Sequence, residues 1–541
     1  MIHESYATVW EAVADAVPDA SALVQGDRRI RWRDFEQRAA RLAGALTERG
    51  VARDSKIALY LFNAPEHLEA EFAAFKLRAI PVNVNFRYRE HELASLLDNA
   101  DAEVLLYHRS LADRVEGVRA HLERLRVLVE LHDEGASTPP VLDGAVAYDE
   151  LVAHGPVAPR IERSGDDLLF WYTGGTTGLP KGVMWHQGTL LAYGLRGAYT
   201  LQDATPPETA VGVADDAVRF RSRGTAPVQL PGSPLVHATA VNAANQALSL
   251  GGTVVLLPSR RFDAEELWRA VERERVTNVT IVGDAMGRRM VAALEAAEAR
   301  GEPYDLSSVR RILSSGAMWS APVKDALLAC GAALDLYDAL GSSEGVGYAL
   351  TIVDRVGDAA TARFRLGELA AVLDDDGRRL APGDGVGVLA ARTFVATGYY
   401  KDPAASARVF REVDGERWAV PGDFARLEPD GTVTLLGRGS GCISTGGEKV
   451  YPEEVEEVLK EHPAVADCVV VGIPHPEWGE CVAAVVAARE RTTVTADELA
   501  SWVGARLASY KRPRHITVVD EVRRTSVGKA DYAWARDALT R

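Results

Sequence analysis

The sequence predicts an α/β protein with two domains. Strand and helix signals alternate from about residue 34 to residue 340, which is typical of mostly parallel sheets covered by helices. Short strands joined by Asp-Gly turns appear after about residue 365 and predict a small β-barrel-like subdomain. The last hundred residues return to mixed elements, as expected for a small α+β domain. We therefore expect a large N-terminal domain of stacked sheets and a small C-terminal domain.

The alternation in the N-terminal part is regular enough to place individual elements. Residues 34–50 predict an amphipathic helix that starts at Asp34 and stops at Gly50. The segments that follow predict a strand at 56–61, a helix at 65–77, a strand at 82–85, a helix at 90–97 and a strand at 103–107. The same order returns as a strand at 252–257, a helix at 264–274 and a strand at 279–282.

The C-terminal part begins after a glycine-rich crossing at residues 437–441. It predicts a helix at 452–461, strands at 466–472 and 482–488, a helix at 496–508 and a strand at 515–519. Residues 201–231 are rich in Pro, Thr, Arg and Gly, and we interpret them as a long loop or insertion.

Composition limits the classes of function. The chain has 541 residues and a formal charge of −16, which argues against a nucleic-acid scaffold but not against a nucleotide pocket. Its four cysteines form no C-x-x-C pair, so neither a zinc site nor a disulfide framework is expected. No apolar run is long enough for a membrane span, and we expect a cytoplasmic protein.

The segment from Tyr172 to Gly182 is the most informative part of the chain. An apolar run, residues 168–171, leads into four glycines, three threonines and Lys181. Glycine backbone N–H groups, hydroxyl groups and a lysine charge together suit phosphate oxygens. A flexible surface loop is the alternative, but such a loop rarely follows a buried strand. Because Gly182 follows Lys181, the spacing does not fit the P-loop motif G-x-x-x-x-G-K-[ST].

Four other segments carry chemical groups in turns. Glu344 follows small hydroxyl residues after a strand and suits Mg²⁺ held with phosphate oxygens, although such a segment is often a helix cap. Asp423 lies in a Gly-Asp turn, where it could accept hydrogen bonds from ribose hydroxyls. Residues 446–456 join a glycine loop to a helix, and Lys529 follows a glycine near the C-terminus.

Taken together and in this order, these motifs resemble the adenylate-forming superfamily of acyl-CoA synthetases, luciferases and peptide-synthetase adenylation domains. The resemblance extends from about residue 56 to Lys529. A closer likeness is to bacterial fatty-acyl and steroid side-chain CoA ligases, which residues 75–85, 314–320 and 444–450 resemble.

The resemblance implies a two-step reaction that uses ATP, Mg²⁺ and coenzyme A, with the C-terminal domain mobile between the steps. Lys529, Thr176, Glu344 and His237 would be catalytic, and Thr176 and Glu344 would hold Mg²⁺. The implied nucleotide-binding residues are Thr173, Gly174, Gly175, Thr176, Thr177, Lys181, Gly316, Ala317, Ala339, Leu340, Gly341, Ser342, Ser343, Asp423, Arg438, Lys449 and Lys529. Gly446 and Gly447 would line the path of the thiol, and the implied division is a domain at 1–437, a hinge at 438–440 and a domain at 441–541.

The acid pocket departs from the pattern of close relatives. His237 is retained, but Ala238 replaces a glycine, and Val241 and Asn242 replace bulky aromatic residues. Asn242 and Asn245 are three residues apart on a predicted helix and would share one face, making the pocket polar if that face meets the substrate. The alternative is that both asparagines bond to backbone. The implied substrate-binding residues are His237, Val241, Asn242, Asn245, Ser315, Gly316, Gly341, Gly345 and Val346.

The expected activity is that of an AMP-forming ligase which joins a carboxylic acid to coenzyme A. Alternatives with the same adenylation chemistry are transfer to an amine or carrier protein, and activation of nitrite to diazotise an aromatic amine. A non-catalytic relative is disfavoured because Lys181, Glu344, Asp423 and Lys529 are all present. The sequence leaves the identity of the acid and the oligomeric state open, a homodimer included.

Overall fold

The computed structural model describes residues 2–133, 141–174, 180–317, 319–330, 334–360, 363–374, 376–438, 443–450, 452–489, 492–523 and 532–540. The secondary structure up to the phosphate loop alternates as the sequence predicts. Its elements are α1 Tyr6–Ala16, β1 Ser21–Gln25, β2 Arg28–Arg31, α2 Trp32–Glu48, β3 Lys56–Tyr60, α3 Pro65–Lys76, β4 Ile80–Asn83, α4 Glu90–Asn99, β5 Ala102–His108, α5 Ala112–Arg119, β6 Val127–Leu131, β7 Ala145–Ala147, α6 Tyr148–His154 and β8 Leu168–Gly174.

The rest of the N-terminal domain first continues this alternation. It contains β9 Pro180–His186, α7 Gln187–Thr200, α8 Ala210–Ser222, β10 Val228–Pro231, α9 Ala238–Ser249, β11 Thr253–Leu256, α10 Ala264–Glu274, β12 Asn278–Ile281, α11 Gly283–Ala299, β13 Arg311–Ser315, α12 Ala321–Ala329 and β14 Asp335–Leu340. Mostly short strands follow, as β15 Ala349–Val353, β16 Arg363–Leu366, β17 Ala370–Leu373, β18 Gly385–Arg392, β19 Gly398–Tyr399, α13 Pro403–Val409, β20 Phe410–Val413, β21 Glu416–Ala419, β22 Asp423–Leu427 and β23 Thr432–Arg438.

The C-terminal elements form a separate small unit. They are β24 Ile443–Thr445, β25 Glu448–Val450, α14 Pro452–Lys460, β26 Val465–His475, β27 Gly479–Ala488, α15 Ala496–Arg506, β28 His515–Val519 and α16 Tyr532–Thr540. The long hairpin of β26 and β27 has one apolar core under α14 and α15 and a second under α16, so this domain buries both faces of its sheet.

Two large sheets build the N-terminal domain. In one, the described strands run in the order β19-β9-β8-β4-β3-β5-β6-β7, and β3 to β8 pair in parallel. In the other, the parallel strands β1, β11, β10, β12, β13 and β14 continue into antiparallel strands from β15 onward. The antiparallel strands enclose a small core of their own, so the region after residue 365 is a subdomain attached to the second sheet.

The fold class predicted from the sequence is confirmed, since the described chain is a large α/β domain of sheets and helices followed by a small C-terminal domain. The interpretation of residues 201–231 as a loop is wrong. Thr209 caps α8 by accepting a hydrogen bond from the Gly212 backbone, and Val213 and Phe220 face the core. This helix therefore belongs to the N-terminal domain and packs beside α1. Within the described residues, no helix is both long and apolar enough to cross a membrane.

Candidate active site

Two antiparallel strands flank the glycine-rich segment. The register of β8 and β9 pairs Thr173 with Lys181 and Gly174 with Pro180. Gly182 has to be glycine, because a Cβ atom there would lie 2.7 Å from the ring of Tyr172. Thr173 and Lys181 therefore lie side by side at the edge of the phosphate-binding segment.

Asn83, at the end of β4, joins this segment to the start of α9. Its Oδ1 accepts a hydrogen bond from the Tyr172 backbone at 2.6 Å, and its Nδ2 donates to the Val236 carbonyl at 2.6 Å. Val236 directly precedes His237, which is the residue before α9. One amide side chain thus fixes β8, the candidate phosphate-binding strand, and the candidate acid pocket to the same sheet.

The Lys181 ammonium group lies between an acidic side chain and an aromatic ring. Its Nζ is 3.1 Å from Asp402 Oδ2 and 5.4 Å from the centre of the Tyr399 ring. A hydrogen bond from the Ala405 backbone and the nearby Lys181 charge lower the pKa of the Asp402 carboxyl below its usual range. Asp402 therefore remains a counter-ion for Lys181 at neutral pH.

Glu344 is buried in a tight turn whose backbone is held by Ser342. The hydroxyl of Ser342 accepts hydrogen bonds from the backbone of Glu344 at 3.1 Å and of Gly345 at 3.2 Å. Glu344 Oε1 accepts a hydrogen bond from the Tyr399 hydroxyl at 2.7 Å. Since Tyr399 also packs against Lys181, it brings the candidate magnesium ligand and the candidate phosphate ligand to one place.

Hydrogen bonds to the backbone form a second link between β9, which carries Lys181, and the turn that carries Glu344. Trp185 on β9 donates its indole N–H to the Ser343 carbonyl at 2.8 Å. Val346 donates its backbone N–H to Phe394 at 3.1 Å, and Gly345 bridges Val395. The turn from Gly341 to Val346 is thus held between β9 and the segment that leads to Tyr399.

Further candidate residues for binding the nucleotide and the acid lie at the carboxyl ends of two parallel strands. Ser315 at the end of β13 is in register with Ala339 near the end of β14. Gly316 follows with φ of +92°, which directs the chain toward Ala317. Leu340 ends β14 and is half-buried. Such strand ends are where parallel α/β sheets usually bind ligands.

The candidate ribose-binding residues are brought together by strand pairing. Asp423 opens β22, Arg438 closes β23, and the antiparallel register places their Cα atoms opposite each other. Arg438 is the first residue of the predicted hinge at 438–440, and the other two hinge residues lie outside the described residues.

The hairpin of β24 and β25 reaches from the C-terminal domain into the N-terminal domain. Thr445 pairs with Glu448, so Gly446 and Gly447 form a two-residue turn with φ of +57° and +86°. A Cβ atom on Gly447 would lie 2.5 Å from Val282 Cγ1, at the start of α11. Two constraints therefore favour glycine at position 447: the positive φ angle, and the short distance to Val282.

Glu448 contacts two residues of the N-terminal domain. Its Oε1 is 3.2 Å from His237 Nε2, and it also accepts a hydrogen bond from Arg87. Burial alone would raise the pKa of Glu448, but His237, Arg87 and Lys511 lower it to about 2. Glu448 is consequently a fixed negative charge at the mouth of the candidate acid pocket. Strand alternation turns Lys449 to the other face of β25.

A buried lysine forms a further contact between the domains. Lys511 Nζ lies 2.5 Å from Glu454 in its own domain and 2.8 Å from Glu92 on α4. Burial would lower the pKa of Lys511, but Glu454 and Glu92 raise it. The structure thus records an arrangement in which the glycine hairpin, and not another face of the C-terminal domain, is docked at His237.

Helix α9 presents different faces to different neighbours. Asn242 is half-buried, whereas Val241 and Asn245 are buried. With its amide nitrogen toward α3, Asn245 donates to Glu71 Oε2 and to the Val241 carbonyl, both at 3.3 Å. The two asparagines therefore do not have the same surroundings: Asn245 belongs to a buried contact, and Asn242 to the more open side.

Several predicted site residues lie outside the described residues, namely Gly175, Thr176, Thr177, the hinge residue Ser440 and Lys529. Sequence reasoning missed Asn83, Tyr399, Asp402 and the pairing of Glu448 with His237. The signals were faint: Tyr399 lies in a run that ends Gly-Tyr-Tyr, and Glu448 stands between the thiol-path glycines and Lys449.

Comparison with known proteins agrees with this geometry. A family described as "AMP-binding enzyme" matches residues 10–400, and one described as "AMP-binding enzyme C-terminal domain" matches residues 454–529. A medium/long-chain-fatty-acid–CoA/3-oxocholest-4-en-26-oate–CoA ligase of Mycobacterium tuberculosis is 40% identical over 97% of this chain and 94% of its own length. A 3-oxocholest-4-en-26-oate–CoA ligase of Rhodococcus rhodochrous is 40% identical with the same coverage.

The solved structure of an amide bond synthetase, McbA from Marinactinospora thermotolerans, matches with a TM-score of 0.79. It is 24% identical over 98% of this chain and 99% of its own, so this likeness concerns the fold. The first family match covers more than half of the chain, and it includes β8 and β9 with Lys181 and the turn with Glu344. The chain therefore belongs to the family of AMP-binding enzymes.

Proposed function

We propose that this protein is an AMP-forming acid–thiol ligase, which activates a carboxylic acid as an acyl-adenylate and transfers the acyl group to coenzyme A. The observation that carries the proposal is the position of the Gly446-Gly447 turn. It is docked beside His237, and Lys181, Glu344 and Tyr399 form one cluster in the domain that holds His237. A phosphate-binding cluster and a separate small-residue entrance are what a two-step acyl transfer needs.

In the first step, the carboxylate would attack the α-phosphorus of ATP, and pyrophosphate would leave. Thr173 and Lys181, which are paired across β8 and β9, would bind the leaving phosphates together with Gly174, Gly175, Thr176 and Thr177. Asp402 and the Tyr399 ring hold the Lys181 ammonium in place beforehand. Such preorganisation lowers the barrier because little reorganisation is needed when charge develops. Lys529 is proposed to bridge the α-phosphate and the carboxylate.

The residues present fit a magnesium ion. Glu344 supplies a buried carboxylate oriented by Tyr399, and Thr176 would supply a hydroxyl oxygen; oxygen ligands of this kind are those that Mg²⁺ prefers. When bound, the ion would neutralise charge on the phosphate oxygens.

In the second step, the thiol sulfur would attack the acyl carbonyl carbon, and AMP would leave. Gly447 packs against Val282 with no side chain between them, and Gly446 and Gly447 would line a thiol entrance beside His237. Glu448 fixes the imidazole of His237 through its 3.2 Å contact, so the ring is held to one side of this entrance. His237 is thus proposed as a positioning residue for the acyl group.

A cationic cavity between the domains supports coenzyme A as the acceptor. It has a volume of about 430 Å³ and is lined by Arg89, Glu90 and His91 near the start of α4, Arg114 on α5, and Ala505 and Arg506 on α15. Three arginines face one carboxylate there, so the cavity favours an anion. The phosphates of coenzyme A are anionic, and the cavity needs both domains in the arrangement that docks the hairpin.

The same geometry supports alternation of the small domain between the two steps. The first step needs Lys529 at the nucleotide, whereas the structure has the Gly446-Gly447 turn docked. We propose that residues 438–440 form the hinge between a domain at 1–437 and a domain at 441–541. Because Arg438 is the first hinge residue, its register with Asp423 would couple movement of the small domain to the nucleotide.

The acid is proposed to be of medium size and either ring-containing or functionalised. The two relatives at 40% identity are named for fatty acids or a steroid acid. Aliphatic Val241 beside polar Asn242 and Asn245 suits a substrate that is not a simple hydrocarbon.

The test is to incubate the protein with ATP, Mg²⁺ and a panel of acids, with and without coenzyme A, and to measure pyrophosphate, AMP and acyl-CoA. Acyl-CoA formation with at least one acid is expected. A parallel reaction contains nitrite and an aromatic amine, and another contains an amine as acceptor. AMP release that needs nitrite and ignores coenzyme A would overturn the proposal, as would transfer to the amine only.

A further inference from the structure

A small cavity lies between α3, β8 and the first turn of α9. It has a volume of about 10 Å³, enough for one water-sized group. Its walls are mostly apolar and come from β3, β4, β8 and α9, but His67 and Glu71 of α3 and Asn83 of β4 also line it. Polar groups in such a place require hydrogen-bond partners.

One of these groups has no partner among the described residues. His67 is 2% exposed, and its Nδ1 atom is buried without a hydrogen bond. Leaving a buried polar atom unpaired destabilises the folded protein. A ligand oxygen in the cavity would remove this destabilisation.

Glu71 supplies the second polar group. It is one helical turn from His67, so both side chains lie on the same face of α3. Its Oε2 is 3.3 Å from the Asn245 amide nitrogen, which leaves its other oxygen for a further hydrogen bond.

Both groups are uncharged near neutral pH. Burial, together with nearby His108, lowers the pKa of His67 to about 3. Burial raises the pKa of Glu71 to about 8, against the opposing effect of Asn245. The cavity therefore suits a neutral hydrogen-bonding group and disfavours both an ion and a hydrocarbon end.

The cavity is close to the candidate acid pocket. Val241 lines it and is four residues from His237, a distance of about 6 Å along the helix axis. Asn83 lines it as well, and the same side chain binds Val236 and Tyr172. The cavity thus lies one helical turn beyond the residue that faces the acyl group.

Resting on the proposed function, we propose that this cavity is the far end of the acid pocket, where His67 and Glu71 recognise an uncharged hydroxyl or keto oxygen of the acid. Val241 would be the wall along which the acid passes. The two α3 residues would then determine specificity without taking part in adenylate formation.

The test uses a series of straight-chain acids of increasing length, each with and without a terminal hydroxyl group. Pyrophosphate release gives kcat/KM for both members of a pair. The wild-type protein should prefer the hydroxylated acid at the length that reaches the cavity. His67→Leu and Glu71→Leu should each lower that preference about ten-fold, because only the hydroxylated acid loses a hydrogen bond. Glu71→Gln, which keeps a neutral hydrogen-bonding group, is the matched control and should keep the preference within about two-fold.

A structure of the wild-type protein with the sulfamoyl analogue of the preferred acyl-adenylate avoids any folding defect of the variants. The terminal oxygen should lie within hydrogen-bond distance of His67 Nδ1. A buried water there, with the acid directed elsewhere, would overturn the inference. An unchanged preference in both leucine variants would overturn the inference alone, whereas no pyrophosphate with any acid would overturn the proposed function and the inference with it.

Discussion

His237 Nε2 lies 3.2 Å from Glu448 Oε1, and this contact joins the candidate acid pocket to the hairpin of the C-terminal domain. The carboxylate is buried, while the imidazole is partly exposed. Because the contact exists only when the hairpin is docked, it should matter for one half-reaction and not for the other.

We therefore expect Glu448→Gln to slow acyl transfer to coenzyme A by at least about ten-fold, since truncating a buried hydrogen-bonded charge costs about 2–5 kcal/mol. Adenylate formation should stay within about two-fold. Pyrophosphate release and thiolysis of a supplied acyl-adenylate measure the two steps separately. Glu477→Gln is the matched control, because Glu477 pairs with Arg289 at an exposed edge. Equal loss of both steps in Glu448→Gln would contradict the assignment.

A methyl group on Gly447 should also act on the second step. Gly447→Ala would bring Cβ within 2.5 Å of Val282 Cγ1, so the hairpin could no longer dock as it does. We expect thiolysis to fall at least ten-fold, roughly the effect of 1.4 kcal/mol or more. Gly415→Ala controls for backbone strain alone, since Gly415 has φ of +74° and nothing within 4 Å of its added Cβ. Comparable thiolysis in both variants would refute a steric role for Gly447.

Tyr399→Phe tests the link between the two phosphate-site motifs. The change removes the hydroxyl that donates to Glu344 at 2.7 Å but keeps the ring beside Lys181. We expect adenylate formation to fall about ten-fold and to need more Mg²⁺, because a hydrogen bond to a charged group contributes about 1.5–3 kcal/mol. The adjacent Tyr400→Phe loses only a bond to Asp101 and serves as the control. The measurement is the rate of pyrophosphate release across a Mg²⁺ titration. The same Mg²⁺ dependence in both variants would contradict a role of the Tyr399 hydroxyl in orienting Glu344.

Arg506→Ala tests the cationic cavity. Loss of one guanidinium should raise the KM for coenzyme A several-fold and leave the KM values for ATP and acid unchanged. The effect should shrink at high salt, because part of it is long-range attraction. Pantetheine, which lacks the nucleotide phosphates, is the control substrate and should not distinguish the variant from wild type. A difference with pantetheine as large as that with coenzyme A would exclude phosphate recognition there.

Acid should weaken the domain contact in a defined range. The folded protein lowers the pKa of Glu448 from 4.5 to about 2, so its stabilising effect is complete above about pH 4.5 and is lost as the pH falls toward 2. The shift corresponds to about 3 kcal/mol. The free energy of unfolding of wild type minus that of Glu448→Gln should be constant from pH 7 to about pH 5 and should shrink below about pH 4.5. A difference that grows on acidification would contradict this sign.

The sequence predicted elements well where periodicity and end signals agreed. The helix Ala264–Glu274 and the strand His515–Val519 have the predicted bounds. It failed at α8, where Pro and Gly in the flanks hid a helix with a Thr209 cap and apolar residues at helical spacing. Composition over thirty residues outweighed a thirteen-residue pattern inside it.

The residues of the candidate site that belong to local motifs could be predicted from the sequence. The contacts that depend on how the two domains meet could not. Thr173, Lys181 and Glu344 stand in recognisable runs, and the structure gathers the latter two around Tyr399. The pairing of His237 with Glu448 spans two domains, and no pattern within either segment specifies how the domains meet. Asn245 turns toward Glu71 within the N-terminal domain, and helix spacing alone does not specify how α9 packs against α3.

The hydrogen bonds of Asn83 to Tyr172 and Val236 have a consequence for redesign of this protein. Because one amide fixes both the phosphate-binding strand and the backbone before His237, substitutions near residue 236 that move the acid should also disturb the grip on pyrophosphate. Changes of substrate range are better sought on later turns of α9 and on α3, which this amide does not hold. The same constraint would apply to the evolution of new acid preferences in this protein.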